Sequence, residues 1–226
     1  KKLMSREAEK KWIYLIPSIG IAIYFILFYV AATLYPGGSK IDINSVGYDW
    51  INNYWCDLSP ELAMNGEPNS GRFFAVTAMV IICLSLALFF YLFSKSLMSH
   101  RVWKKSTKYL GVASPLCAIF IFTPYHHTML LLALLMSVIP LIGVVTVIAK
   151  SDFRSYKRWG GVVLFLIIVT VAMYYGKIFL VWLPLVQKIT FIFTLLWVGA
   201  LCLKLYKKTR VIKKGSSTCV EEPLNP

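Results

Sequence analysis

The run YLGVASPLCAIFIFTPYHHTMLLLALLMSVIPLIGVVTVIAK, residues 109–150, decides how many times this chain crosses a bilayer. It is apolar almost throughout and about twice as long as one helical crossing requires. Its middle reads Thr123-Pro124-Tyr125-His126-His127-Thr128. Proline lacks the N–H that a helix interior needs, and it pushes the residue before it out of the helical region. The run is therefore two spans joined by a tight turn. One covers Tyr109 to about Tyr125 and the other ends near Ala149. Merging them would leave five spans in the chain; separating them makes six.

Working outward, the basic residues frame the same count. Of 24 Lys and Arg, 20 fall in the clusters Lys1–Lys11, Lys95–Lys108, Lys150–Arg158 and Lys204–Lys214. Stretches almost free of positive charge alternate with them, which is the positive-inside pattern of a multi-pass membrane protein. The other spans are Trp12–Tyr35, Phe73–Phe93, Trp159 to Tyr175-Gly176, and a last one after Lys188 that ends near Tyr206. The expected fold is all-α: a six-helix integral membrane bundle with both termini in the cytoplasm. Residues 1–11 form a basic N-terminus and 12–206 the membrane domain, with one long outer loop at 36–72. Residues 207–226 form a cytoplasmic tail, polar and Pro-containing at its end and expected to be disordered. The first apolar run is expected to be a retained helix rather than a cleaved leader. Trp12, Trp103 and Trp159 mark inner ends, and Trp50, Trp55 and Trp182 outer ones.

Composition agrees. The chain has 226 residues, 58% of them apolar, and a mean hydropathy of +0.67. A net charge of +14 placed beside apolar spans favours membrane lipids as partners over nucleic acid. A protein partner and an oligomeric state are not encoded in any pattern here. The five cysteines show no CxxC, and Cys56 has no outer partner. No cofactor is expected: a P-loop, a dinucleotide fingerprint, GxSxG and HExxH are all missing from the sequence. The spans carry almost no ionisable residue in their middles, which argues against a proton-relay pump and disfavours a small transporter.

Polar groups collect instead at the outer ends of the spans. The segments Pro36–Arg72, Thr123–Thr128 and Tyr174–Lys188 meet at that level. They supply Asp57, Asn65, Asn69, Arg72, His126, His127, Tyr174, Tyr175 and Lys177 as candidates. Asp57 lies in Trp55-Cys56-Asp57-Leu58, which reads as a segment tucked against the bundle. Burial there would raise its pKa and suit it to proton transfer; the alternative is an Asp that caps the following turn. Arg72 opens a membrane helix at the end its charge disfavours. It calls for an acidic partner, Asp57 or Glu61, or for a lipid phosphate. His126 and His127 are a base, a hydrogen-bonding pair or plain interfacial residues; any metal site would need His126, His127 and Asp57. Ser59, Ser70 and Cys56 are the nucleophile candidates at this level. Lys177–Lys188, broken by Pro184, is too short to cross and reads as interfacial.

Six spans, a long first loop and the acidic stretch Cys56-Asp57-Leu58-Ser59 before the second helix, followed by Asn65 and Asn69, give the chain a recognisable layout. It resembles the superfamily of damage-regulated autophagy modulators and fibroblast-growth-factor-receptor-activating proteins. There the element often reads Ser-Asp-hydrophobic-Gly; here Cys56 and Ser59 replace the Ser and the Gly. The resemblance covers about Trp12–Tyr206. It implies lipid handling or membrane regulation and makes Asp57 the first residue to examine. The Trp-Cys-acid triplet also resembles the alkaline-ceramidase-like hydrolases, whose later His pair and seventh span are absent. Two functions follow as expectations: a lipid-binding or membrane-regulatory protein, and a membrane-embedded lipid hydrolase or transferase using Asp57 and His126/His127.

Overall fold

A computed structural model of the chain describes residues 12–123, 125–151 and 153–218, with 208–218 by backbone alone. The Lys1–Lys11 cluster, Pro124 and residues 219–226 of the expected tail lie outside the described residues.

Among the described residues the chain forms six α-helices: α1 (Ile16–Thr33), α2 (Arg72–Leu97), α3 (Arg101–Ala118), α4 (His126–Lys150), α5 (Arg154–Gly176) and α6 (Leu183–Thr218). A 3-10 turn at Ile119–Phe122 ends α3, and another at Trp55–Leu58 lies in the loop. The chain breaks between Phe122 and His126, so residues 109–150 form two helices. Five helices are long and apolar enough to cross a membrane, namely α1, α2, α4, α5 and the Leu183–Lys207 part of α6. The fold is that of a polytopic membrane protein.

The exception is α3. Its first two turns carry Arg101, Lys104, Lys105 and Lys108. Only the stretch from Tyr109 to Phe122 remains apolar, about 20 Å of helix against about 30 Å of hydrocarbon. Of the six expected spans, all six are helical and five meet the length and apolarity of a full crossing. The basic clusters are not loops, because helices run into them: only Met98–His100 separates α2 from α3, and α5 starts at Arg154 rather than Trp159. Lys and Arg are good helix formers, and their long stems reach water from a buried backbone. The last helix likewise starts at Leu183, before Lys188, and continues past Tyr206 to Thr218.

Consecutive helices are antiparallel. Tyr14 Oη meets Ser96 Oγ at 2.7 Å near the start of α1 and the end of α2, while Gly71 abuts the Ala31 carbonyl at the other end. Ser114 Oγ donates to Ala133 O at 2.8 Å between α3 and α4. Thr170 and Thr190 hydroxyls lie 2.8 Å apart, and Trp197 Nε1 donates to Tyr156 O at 3.1 Å, between α5 and α6. α6 returns against α1, where Ser18 Oγ donates to Gly199 O at 3.0 Å and Trp12 meets the Tyr206 ring. The helices thus form a ring in chain order, closed thinly between α4 and α5. The described basic clusters share one end, the basic end. The 34–71 segment covers the other, the loop end.

Small residues set the helix spacing, as expected where no hydrophobic force separates helix from lipid. A Cβ on Gly160 would stand 2.9 Å from the Trp197 ring, which is 1% exposed. Two tryptophans expected in the interfacial belt turn inward instead. Trp55 packs on the core and the Trp159 indole N–H is buried, whereas Trp12, Trp50, Trp103 and Trp182 are exposed.

Gly160→Val should push α5 off Trp197 and lower stability by about 1–3 kcal/mol, the usual cost of overpacking. Adding Trp197→Phe should recover part of that loss in detergent melts. Full stability of the single variant would contradict this packing.

Candidate functional site

The loop at 34–71 is folded by its own turns. Gly38, with φ +87°, donates its N–H to Ser45 O at 2.8 Å, and Gly47 N–H donates to Pro36 O at 3.0 Å. Positive φ costs glycine little. The Tyr35 hydroxyl, on a residue 3% exposed, accepts from Met64 N–H at 3.0 Å and ties the loop's second half to its first.

The centre of the loop is Asn53, fully buried. Its Nδ2 donates to Gly38 O at 2.9 Å, and its Oδ1 accepts from Asp49 N–H at 2.9 Å. Its carbonyl accepts from Lys188 Nζ, reaching down from α6. Lys188 is 4% exposed; its ammonium also donates to Pro184 O at 3.4 Å and lies 5.5 Å from the Tyr48 ring centroid. A buried cation is tolerated only with such partners. Next to it, Trp55 stacks on Phe28 of α1 with centroids 4.0 Å apart. It also packs on Phe191 of α6, and its Nε1 donates to the Tyr24 hydroxyl. The loop is therefore fixed to α1 by an aromatic wedge and to α6 by an ammonium.

Asp57 lies in the turn that carries Trp55. Its Oδ2 accepts from Tyr54 N–H at 2.7 Å and Asn53 Nδ2 at 3.3 Å. Burial pushes its carboxyl above the usual range; the Tyr54 N–H, Asn53, Lys40 and Lys188 offset this only in part. Asp49 goes the other way. Burial opposes its charge too, but the Asn52 side chain, the Ile51 and Asn52 N–H groups and Lys188 hold it below the usual value. The two carboxyls are thus set to different protonation ranges, the pattern that separates an acid from a spectator carboxylate. Lys40 Nζ lies 4.5 Å from the Tyr54 centroid, and Tyr174 at the end of α5 is electrostatically coupled to Tyr54. Tyr175 and Lys177, at the loop end of α5, are exposed.

The other sequence candidates divide. Arg72 pairs with Glu61 at 2.9 Å and donates from Nε to Ser59 O at 3.2 Å. Its acidic partner is Glu61, at a solvent-exposed site where ion pairs are weak. Asn69, 7% exposed, donates to Leu58 O and Pro60 O and accepts from Gly71 N–H. Asn65 accepts from Glu67 N–H in its own turn. Both asparagines shape the loop. His126 meets Ile121 O through Nδ1 at 2.8 Å and stacks edge-on with His127, which is exposed.

Among the described residues no three His, Cys, Asp or Glu side chains are grouped to hold a metal, so Asp57, His126 and His127 do not form one. Burial, with Asp57 beside it, pushes the Cys56 thiol up to about 11. It stays protonated and is a poor nucleophile near neutral pH. Among the described residues no hydrogen bond joins Ser59, Ser70 or Cys56 to a histidine.

Asn53, Tyr48 and the clamping role of Lys188 were not foreseen from sequence. Lys188 had a signal, a lone cation within the apolar run Ile178–Trp197. Asn53 had none, because an Asn among turn residues reads as ordinary loop and its charged partner, Lys188, is 135 positions away.

The fold and loop define a polytopic membrane protein with a structured cap at one end. Compared with protein-family models, characterised proteins and solved structures, the chain matches none.

Lys188→Met should lower stability by about 2 kcal/mol, since it leaves the buried Asn53 carbonyl without its charged donor. Limited proteolysis should then cut within 40–60, while an unchanged cleavage pattern would refute the clamp. For Asp57 the sign follows from its raised folded pKa. Its contribution is fully present below the ordinary carboxylate pKa and is lost as pH rises through the folded one. Asp57→Asn should therefore be at least as stable as wild type at pH 7, and the wild type should gain on the variant as pH falls towards 4. A variant uniformly less stable across that range would contradict the burial of Asp57.

Proposed function

We propose that the protein is a lipid-binding, membrane-regulatory protein of the cell membrane, with cytoplasmic termini and the loop end facing outward. The basic clusters support the orientation, since they share one end of the ring. The observation that carries the site is Asp57. It is the one loop carboxyl drawn under the fold and raised in pKa, bonded to the Tyr54 N–H and within the field of Lys40.

A lipid headgroup lying between the loop and α5 would meet Lys40 and Lys177 with its phosphate. Asp57 in its protonated form would offer a hydroxyl to a headgroup oxygen. Tyr54, Tyr174 and Tyr175 would supply amphipathic surface at the depth where headgroups and acyl chains meet. The exposed apolar turn Ile178–Trp182 extends that surface along the bilayer interface. Hydrolase chemistry has less support: Cys56 stays a thiol and the histidines have no bond to Asp57. The likeness to the autophagy-modulator superfamily points the same way, toward lipid handling.

Two experiments test this. In a Cys56→Ser background, Val46→Cys should react with an impermeant maleimide in intact cells; Val46 is 96% exposed. Lys207→Cys should react only after permeabilisation, and the reverse result would overturn the orientation. For the site, the Lys40→Gln/Lys177→Gln protein should retain several-fold less phospholipid through detergent purification, measured by lipid mass spectrometry. Equal retention by the two proteins would refute it.

A further inference from the structure

At the basic end, away from the loop, the end of α2, the start of α3 and the last turns of α4 border an open cavity of about 570 Å³. This is the size of a small-ligand site. Its polar side is Ser99, His100, Lys150 and Ser151, and its apolar side includes Leu97, Met98, Trp103 and Val147. No carboxylate among the described residues lines it; Asp152 lies outside the described residues.

Two observations point to a ligand in this cavity, and a third concerns its wall. The first is its graded lining, cationic on one side and apolar on the other. The second is the start of α3. His100 is its N-cap, with no side-chain cap and no acidic residue in the first turn. Arg101, Lys104 and Lys105 stand there instead. The free N–H groups and positive helix end add to these cations rather than offset them. The third is a hidden hydroxyl. Thr107 Oγ1 is fully buried and has no hydrogen-bond partner. It faces the bare side of Gly143 in the cavity wall, where an added Cβ would stand 2.5 Å from that oxygen and 3.0 Å from Met98 Cε. Buried hydroxyls are nearly always paired; this one lies behind Gly143 and supports the wall rather than lining the cavity.

We infer that this cavity binds a phosphate group, held by Lys150, His100 and the N-terminal N–H groups of α3. The apolar wall assigns it to an anionic phospholipid of the adjoining leaflet, whose glycerol and upper acyl chain would lie on Leu97, Met98, Trp103 and Val147. A free phosphate compound shares the headgroup chemistry but has no use for that wall. The site does not depend on the loop-end reading, and its variants touch none of the loop-end residues.

The test uses the full chain in nanodiscs of mixed phosphatidylcholine and phosphatidylglycerol, with bound lipids counted by native mass spectrometry. His100→Gln/Lys150→Gln should lose one tightly held phosphatidylglycerol, a drop of roughly ten-fold in retention. Lys95→Gln/Lys204→Gln, which removes basic charge at the same end but outside the cavity lining, should keep it. Thr146→Trp, which fills the cavity without removing charge, should also lose it, and it decides the matter if the double variant does not fold. Excess inorganic phosphate should leave the lipid bound; its displacement by phosphate would replace the lipid assignment with a soluble anion. Equal loss in the control variant, or full retention by Thr146→Trp, would overturn the site.

Discussion

The loop end rests on one contact, the Lys188 ammonium on the Asn53 carbonyl. A lysine 4% exposed in a membrane protein is costly, and it persists because each donor direction is used: two carbonyls and the face of Tyr48. Because Asn53 also bonds to Gly38 and Asp49, and contacts Asp57, the ammonium on α6 organises a loop that belongs to α1 and α2 in sequence. Trp55 completes the attachment by stacking on Phe28. With both anchors in place, the 3-10 turn at Trp55–Leu58 holds Asp57 partly out of water and raises its pKa. The chemistry proposed for the loop end follows from the way the loop is fastened.

At the opposite end the organisation is electrostatic rather than aromatic. Helices extend into the basic clusters instead of stopping before them, so α3 begins among cations with its own positive dipole end. In water this arrangement would lower the stability of the helix start by a few tenths of a kcal/mol per charge. Beside an anionic leaflet it becomes favourable, which links helix boundaries, charge bias and the cavity in one account.

Much of this was legible in the sequence. The turn-forming residues 123–128 within an apolar run marked the break between α3 and α4. The spacing of Lys and Arg placed the helix ends on two levels, and Trp-Cys-Asp-Leu read correctly as a tucked segment because its flanking residues are apolar. The Arg72 partner was read as Asp57, Glu61 or a lipid phosphate, and Glu61 is the acid it meets. What was not legible has a common cause. Helix extension into Lys95–Lys108 and Lys150–Arg158 was hidden because spans were drawn over the uncharged residues alone. Lys188 and Asn53 are 135 positions apart, and no local pattern joins them. Trp55 was assigned to the interfacial belt because an indole near a span end usually lies there, yet stacking on Phe28 and a tilted contact with Phe191 draw it inward. His126 and His127 looked convergent with Asp57 by depth alone, but depth does not specify which side of a helical ring a residue occupies.

The central claim is that residues 36–71 form a cap fastened to α1 and α6 rather than a solvated connection. Hydrogen–deuterium exchange of the wild-type protein in nanodiscs measures it directly, since amide protection reports the free energy of local opening. The account predicts that Asn53, Asp57, Ala63 and Asn69, whose N–H groups bond to Asp49, Tyr54, Glu67 and Glu61 carbonyls, exchange far more slowly than Asn44 and Ile51, whose N–H groups are held by exposed Asp side chains. Uniform, fast exchange across the whole segment would contradict it.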